Sequence, residues 1–118
     1  MEVRSRQVAQ PFKTLDGSTI RVLLDARDGG TANQSLAEAE LGPGQATKRH
    51  YHARAEEIYV VLQGEGKMEV EGEHGPIVPG DAVLIPAGAR HELTAGPRGV
   101  RFLCCCAPPY DDGDTFFD

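Results

Sequence analysis

The sequence lacks long apolar runs and paired cysteines, and each absence narrows the class of protein. No stretch approaches the roughly 20 apolar residues that a membrane helix requires. The N-terminal residues MEVRSRQVAQPF lack the apolar core of a signal peptide. The three cysteines are adjacent, at Cys104, Cys105 and Cys106, so they form no CxxC metal pair and no even set for disulfide bonds. We therefore expect a cytoplasmic protein with no membrane partner.

Basic residues are scarce relative to acidic ones. Lys and Arg total 12 against 18 Asp and Glu, which gives a formal net charge of −6 at pH 7. Nucleic acids and anionic membranes bind proteins through basic patches, and the Lys48-Arg49 cluster is too short to provide one. The sequence also lacks a Gly-rich phosphate loop and a G-x-S-x-G nucleophile elbow. We therefore expect no nucleic-acid partner.

Glycine and proline are frequent, with 14 and 8 residues distributed along the whole chain. A length of 118 residues fits one domain, 1–118. Turn-forming residues separate short aliphatic and β-branched runs at intervals of about 8–12 residues, which is typical of a jelly roll or closed β-barrel. We expect an all-β fold that follows an N-terminal arm, residues 1–12. The predicted strands include 19–24, 57–62, 67–71, 82–85, 91–94 and 100–106.

Residues 35–41, SLAEAEL, have a composition that also favours a helix. Seven residues between two glycine-containing turns are too few for a typical helix, so we predict a strand. Alternation along that strand gives one face of small side chains that lines an interior with space beside it. That face consists of Ser35, Ala37, Ala39 and Leu41.

Two histidines separated by one residue, His50 and His52, are the first candidate metal ligands. Residues i and i+2 of a strand project from one face, so both imidazoles can converge on one ion. Glu57 opens the next predicted strand, where its carboxylate can reach the same point. His91 comes later, after the rigid Pro86-Ala87-Gly88 corner, and joins the others only when a barrel closes.

Nine positions around these residues keep fixed spacings: Gly44, His50, His52, Glu57, Gly64, Gly80, Pro86, Gly88 and His91. In these positions the chain resembles the cupin superfamily, whose motifs are G-x5-H-x-H-x3or4-E-x6-G and G-x5-P-x-G-x2-H-x3-N. The first motif covers residues 44–64 and the second covers residues 80–95. Ala95 stands where the family usually has Asn, a turn residue, and Gly96 can supply the left-handed conformation there.

The resemblance implies a double-stranded β-helix, the cupin jelly-roll barrel, with a metal site of three histidines and one glutamate inside it. Those ligands are His50, His52, Glu57 and His91. It also implies a homodimer in which the N-terminal arm is exchanged or packed. Such ligands suit one divalent transition metal, Fe, Mn, Ni, Co, Cu or Zn, and disfavour Mg and Ca. An octahedral ion would keep two positions for water, dioxygen or substrate.

Tyr59 and Lys48 are the candidate catalytic residues, and each has a structural alternative. Tyr59 lies in phase with Glu57, so its phenol can line the cavity, although a core position is the favoured alternative. Lys48 lies in phase with His50 and can meet an anionic substrate at the barrel mouth, or it is an ordinary surface lysine.

Four further residues are given structural interpretations. Glu56 faces away from Glu57 on a strand and is expected to be solvated, and His74 is expected in an exposed turn. Cys104 and Cys106 share a face that points into the barrel, where thiols can lie near the metal or simply fill the core.

The leading functional expectation is a metal-dependent oxidoreductase of the dioxygenase type that acts on a small molecule. It follows from the resemblance to cupin dioxygenases and from a site with exchangeable positions. One alternative is a non-catalytic cupin that binds a small molecule or metal as a sensor or binding module. The other is a metal-dependent sugar isomerase, for which Lys48 and Arg49 are the only obvious phosphate-binding residues.

Overall fold

The computed structural model describes residues 1–118 and contains nine β-strands and one short 3-10 helix. The strands are β1 (Phe12–Lys13), β2 (Thr19–Leu24), β3 (Ser35–Leu41), β4 (Tyr51–His52), β5 (Glu56–Val70), β6 (Glu73–Ile77), β7 (Ala82–Ile85), β8 (His91–Ala107) and β9 (Thr115–Phe116), and the 3-10 helix is Asp112–Asp114. Seven strands form one sheet in the order β1-β2-β3-β8-β5-β6, with β7 paired to the other part of β5, while β4 and β9 form a separate pair. The jelly-roll expectation is confirmed.

Strands β5 and β8 are longer than expected, because two predicted turns are absent. β5 continues through the Gly64-Glu65-Gly66 segment as a bulged strand, with register shifts on both sides of Gly64. β8 likewise runs through Ala95-Gly96-Pro97, so the predicted turn there is wrong. Gly96 does not take the left-handed conformation, whereas Gly64 and Gly99 do, with φ of 78° and 77°. A side chain at Gly64 would collide with the Gly99 carbonyl. Glycine at this bulge therefore allows β5 and β8 to stay paired.

Residues 35–41 form a strand, as predicted, and not a helix. β3 pairs with β2 on one side and β8 on the other, so its backbone hydrogen bonds come from its neighbours. Ser35, Ala37 and Ala39 line an interior cavity, while Leu41 is buried in the core. The small side chains of β3 therefore leave the space that the sequence indicated.

The hydrophobic core lies between the sheet faces on one side of that cavity. β3, β5 and β8 supply most of it, because their inward residues alternate with polar ones. Burial of one such aliphatic or aromatic side chain contributes about 1.5–3 kcal/mol to folding. The most deeply buried core members include Leu41, Val61, Ile85, Leu93 and Phe102.

Two glutamates on outward-facing positions are buried beneath arginines. Glu69 is 8% exposed and accepts hydrogen bonds from Arg49, with Nε to Oε1 at 2.7 Å. Glu38 is 4% exposed and is bound by Arg6 of the N-terminal arm and by Arg101 of β8. Both carboxylates are therefore held by charge-assisted hydrogen bonds from arginine.

The N-terminal arm forms a turn and no strand before β1. Arg6 attaches it to β3 through two hydrogen bonds to the Glu38 carboxylate, of 2.8 and 2.9 Å. His74 lies on β6 and is exposed, so the predicted turn is a strand although the predicted exposure is right. No helix in the chain has the length and apolar character needed to cross a membrane.

Candidate metal centre

Three histidines converge where β4 and β8 begin. His50 and His91 form a bridge through their backbones, with N···O distances of 3.1 and 2.8 Å, and His52 follows on β4. One ring nitrogen from each of the three lies within 4.8 Å of the others. The side chains are almost completely buried, with 3%, 4% and 0% of His50, His52 and His91 exposed. The i, i+2 spacing and barrel closure thus bring together the imidazoles that the sequence singled out.

Hydrogen bonds at Nδ1 fix the tautomer of all three rings. His50 Nδ1 lies 2.7 Å from the Lys48 carbonyl oxygen and His91 Nδ1 lies 2.9 Å from that of Ala89. His52 Nδ1 lies 3.2 Å from Thr115 Oγ1, whose own hydroxyl donates to the Asp111 carbonyl. Because these oxygens act as acceptors, each Nδ1 carries the proton. Each neutral ring then presents the Nε2 lone pair to the centre, as a metal ligand requires.

Glu57 of β5 lies beside His52 and His91, although it is outside the group of ring nitrogens that all lie within 4.8 Å of one another. Its Oε1 lies 3.4 Å from Nε2 of both His52 and His91, and its Oε2 accepts a hydrogen bond from Cys106 Sγ at 3.2 Å. Glu57 Oε1 and His91 Nε2 are buried without a hydrogen-bond partner. Buried polar atoms without partners cost free energy, so such atoms on facing ligands indicate a bound group. Three imidazole nitrogens and a carboxylate fit a divalent transition metal.

The site favours an ionised carboxylate. Burial opposes ionisation of Glu57, but the nearby imidazoles of His52 and His91 outweigh it and lower its pKa to about 2. Burial and repulsion by His91 lower the pKa of His50. Burial also acts to lower the pKa of His52, but the interaction of His52 with Glu57 outweighs burial and raises that pKa. A metal ion at this centre therefore competes with a proton on His52.

Asp16, in the loop between β1 and β2, lies at the site but was not predicted from the sequence. Its Oδ2 lies 3.8 Å from His50 Nε2, and its backbone carbonyl accepts a hydrogen bond from the Lys48 N–H at 2.8 Å. Asp16 is 34 positions from His50 and outside both motifs, so no local spacing pointed to it. Only its place in a D-G-S turn marks it as a fixed carboxylate.

A cavity adjoins the histidines and has room for the centres of water-sized molecules over about 80 Å³. That volume accommodates a few waters or one small organic group. Tyr59 lines the cavity and is also part of the core, so both interpretations of it apply. Lys48 is exposed, and its side chain does not line the cavity. Only its backbone atoms contact the site, through His50 Nδ1 and the Asp16 carbonyl. Glu56 is exposed, as predicted, and Cys104 and Cys106 face the cavity.

The segment after the cis Ala107–Pro108 bond returns to cover the histidines. β9 pairs with β4, placing Thr115 opposite His52. The Tyr110 ring lies 5.7 Å from the His52 ring, and the Phe117 ring lies 5.7 Å from the His50 ring. Sequence reasoning assigned no role to this tail, because its contacts with the site join residues about 60 positions apart.

The family model described as a cupin domain matches residues 37–106. An uncharacterized protein of Methanocaldococcus jannaschii is 39% identical over 107 residues, covering 90% of this chain and 86% of the relative. Dimethylsulfoniopropionate lyase of Ruegeria pomeroyi is 35% identical over 82 residues, which cover 70% of this chain but only 53% of the lyase. The structure of the polyketide cyclase RemF from Streptomyces resistomycificus has a TM-score of 0.80 and 28% identity, covering 91% of this chain and 79% of the cyclase.

Proposed function

Because the chain belongs to the cupin family, we propose that it is a metal-dependent enzyme that acts on a small molecule. One divalent transition metal, Fe, Mn, Ni, Co, Cu or Zn, is held by His50, His52, Glu57 and His91. The observation that carries this proposal is the pair of buried, unpartnered atoms, Glu57 Oε1 and His91 Nε2, 3.4 Å apart. An ion between the ligands satisfies both atoms at once.

A divalent ion supplies a Lewis acid at this site and, if it is redox-active, an electron partner for dioxygen. The chain supplies orientation and a dry wall. Hydrogen bonds at Nδ1 hold the imidazoles in place, and Phe102 and Ala39 keep one side of the cavity apolar. Burial raises the pKa of Tyr59 well above its ordinary value, so its phenol stays protonated and can donate a hydrogen bond to substrate.

A dioxygenase-type reaction is the first candidate chemistry, since imidazole and carboxylate ligands suit iron, manganese and copper. A redox-neutral elimination or cyclisation is the second, and a specific observation favours it. The relatives with printed activities include a lyase and a polyketide cyclase, and the cavity here places the Tyr59 phenol beside the carboxylates Asp16 and Glu57. Groups that donate and accept protons beside a Lewis acid suit such chemistry.

The proposal is tested by metal analysis of the purified protein and of His50→Ala/His52→Ala/His91→Ala. We expect about one equivalent in the wild type and almost none in the triple variant, while the circular dichroism spectrum of the β fold is retained. Equal metal content in the two proteins would refute the site.

Oxygen consumption separates the two chemistries. The apoprotein is loaded with each of the six metals and mixed with a panel of enols, catechols and β-diketones. Metal-dependent oxygen uptake supports the dioxygenase type, whereas substrate conversion without oxygen uptake supports elimination or cyclisation. Tight binding of a panel compound that is never converted would support the alternative of a sensor or binding module. A sugar-phosphate isomerase is disfavoured, because no lysine or arginine lines the cavity.

We also propose that the protein is a homodimer that uses the N-terminal arm, residues 1–12. Apolar side chains are exposed on the arm and on the outward face of β5 and β7, including Val3, Val8, Ile58 and Leu84. Ile58 and Leu84 are register partners, so they form a continuous apolar surface that association would cover. Light scattering during size-exclusion chromatography should give twice the chain mass of 12.7 kDa. A monomer at micromolar concentration would contradict the proposal.

A further inference from the structure

The charge of the cavity beside the histidines is strongly biased. Twenty residues line it, and none of them is lysine or arginine. Three of them are carboxylic acids, Asp16, Asp25 and Glu57. Their negative charges outnumber the two positive charges of a divalent ion, so the cavity retains negative charge even when the proposed metal is bound. A second anionic group inside it would lack a basic partner.

Asp16 is the carboxylate with a free oxygen beside the proposed metal ligands. Its Oδ1 accepts hydrogen bonds from the Ser18 backbone N–H at 2.9 Å and from Ser18 Oγ at 2.7 Å. These donors orient the side chain, which is only 13% exposed, and leave Oδ2 directed toward His50 Nε2 at 3.8 Å. That distance exceeds a hydrogen bond, so Oδ2 remains an acceptor for a molecule bound in the cavity.

The rest of the cavity wall selects for apolar surface. Eleven of the twenty lining residues are hydrophobic. Phe12, Ile20 and Val22 lie on β1 and β2, the two strands joined by the loop that contains Asp16. Leu36 and Phe102 lie on the adjacent strands β3 and β8. Desolvation by such walls strengthens the attraction or repulsion between Asp16 and a bound molecule.

We propose that Asp16 is a specificity-determining residue, whose Oδ2 accepts a hydrogen bond from an uncharged or cationic small molecule bound beside the metal. Its charge excludes anionic molecules, including phosphorylated ones. The inference rests on the proposed metal site and names the substrate class of that site.

The test uses the full chain loaded with Co(II), whose visible spectrum reports ligands that bind at the metal. Azide and inorganic phosphate are the anionic probes, and imidazole is the uncharged N–H donor probe. Asp16→Asn removes the charge and keeps an acceptor oxygen for Ser18. Asp28→Asn is the matched control, because it changes net charge equally at an exposed position that does not line the cavity.

We expect Asp16→Asn to raise azide and phosphate affinity about tenfold and to lower imidazole affinity. Asp28→Asn should change none of the three. Unchanged anion affinity, or unchanged or higher imidazole affinity, would overturn the inference while the cobalt content still supports the metal site. Loss of cobalt from a folded Asp16→Asn would also overturn it, because Asp16 would then be a metal ligand. Absence of cobalt from the wild type would refute the proposed function itself. If Asp16→Asn does not fold, Asp16→Ser removes the same charge and is judged by the same criteria.

Discussion

Strand β5 carries two buried glutamates whose environments differ sharply. Glu57 is 4% exposed and faces three histidines, and Glu69 is 8% exposed and is bound by Arg49 and the Gly72 N–H. The pKa of each is lowered to about 2, that of Glu57 by the nearby imidazoles of His52 and His91, which outweigh its burial, and that of Glu69 by Arg49. Of the two, only Glu57 keeps an oxygen without a hydrogen-bond partner. A low pKa therefore does not separate the two carboxylates, whereas a buried oxygen without a partner does.

The two glutamates also face opposite sides of the sheet although twelve positions separate them. Glu57, Tyr59 and Val61 point inward, but beyond the bulge at residue 62 the inward residues are even-numbered and include Met68. One extra residue in a strand shifts its alternation by one face. The bulge therefore places Glu57 in the cavity and Glu69 under Arg49.

The largest expected difference between the two glutamates is in metal binding. Glu57→Gln keeps an oxygen but loses the charge, so we expect metal affinity to fall at least tenfold. Glu69→Gln is the matched change on the same strand and should leave metal affinity within about twofold, since its side chain is outside the cavity. Competition titration with a chromophoric chelator measures both. Equal losses in the two variants would show that Glu57 acts on the metal only through the fold.

The next effect concerns the histidine tautomer that faces Glu57. Thr115→Val removes the acceptor that holds the proton on His52 Nδ1 at nearly constant volume. Loss of such an acceptor costs about 10–100-fold in metal affinity, and we expect the lower end because His52 is also fixed by pairing with β9. Thr115→Ser retains the hydroxyl and is the control. If Ser and Val bind metal equally, the tail acts by shape alone.

The comparison also shows which features a sequence can predict. The four proposed ligands could be named because the residues within each motif are close in sequence, and β3 could be predicted because seven residues are too few for a typical helix. Asp16 and Thr115 were missed because barrel closure brings them to His50 and His52 from 34 and 63 positions away. Burial of Glu69 was missed because it depends on Arg49, which reaches it from another segment. The long strands were missed because glycine signals a bulge as readily as a turn.

The third expected effect is on stability at acid pH, and it tests the interaction between Glu69 and Arg49. The folded pKa of Glu69, about 2, lies below its ordinary value of 4.5. Its contribution is therefore present in full above about pH 4.5 and is lost as the pH falls toward 2. Glu69→Gln should lower the free energy of unfolding at pH 7 by no more than about 1 kcal/mol, because the exposed Arg49 leaves the pair screened by water, and by less at pH 3. Urea titrations at both pH values measure this, and a loss independent of pH would indicate a packing defect.

The smallest expected effect comes from the second oxygen of Glu57. Cys106 Sγ donates to Glu57 Oε2 at 3.2 Å, and burial raises the pKa of this thiol, so it remains a donor at neutral pH. Cys106→Ser keeps a donor and should leave metal affinity within about twofold, whereas Cys106→Ala should lower it only a few-fold, because thiols are weak hydrogen-bond donors. Cys105→Ala is the control, since Cys105 does not line the cavity. The same chelator competition measures all three, and a loss in Cys106→Ala as large as in Glu57→Gln would mean that the thiol orients the carboxylate.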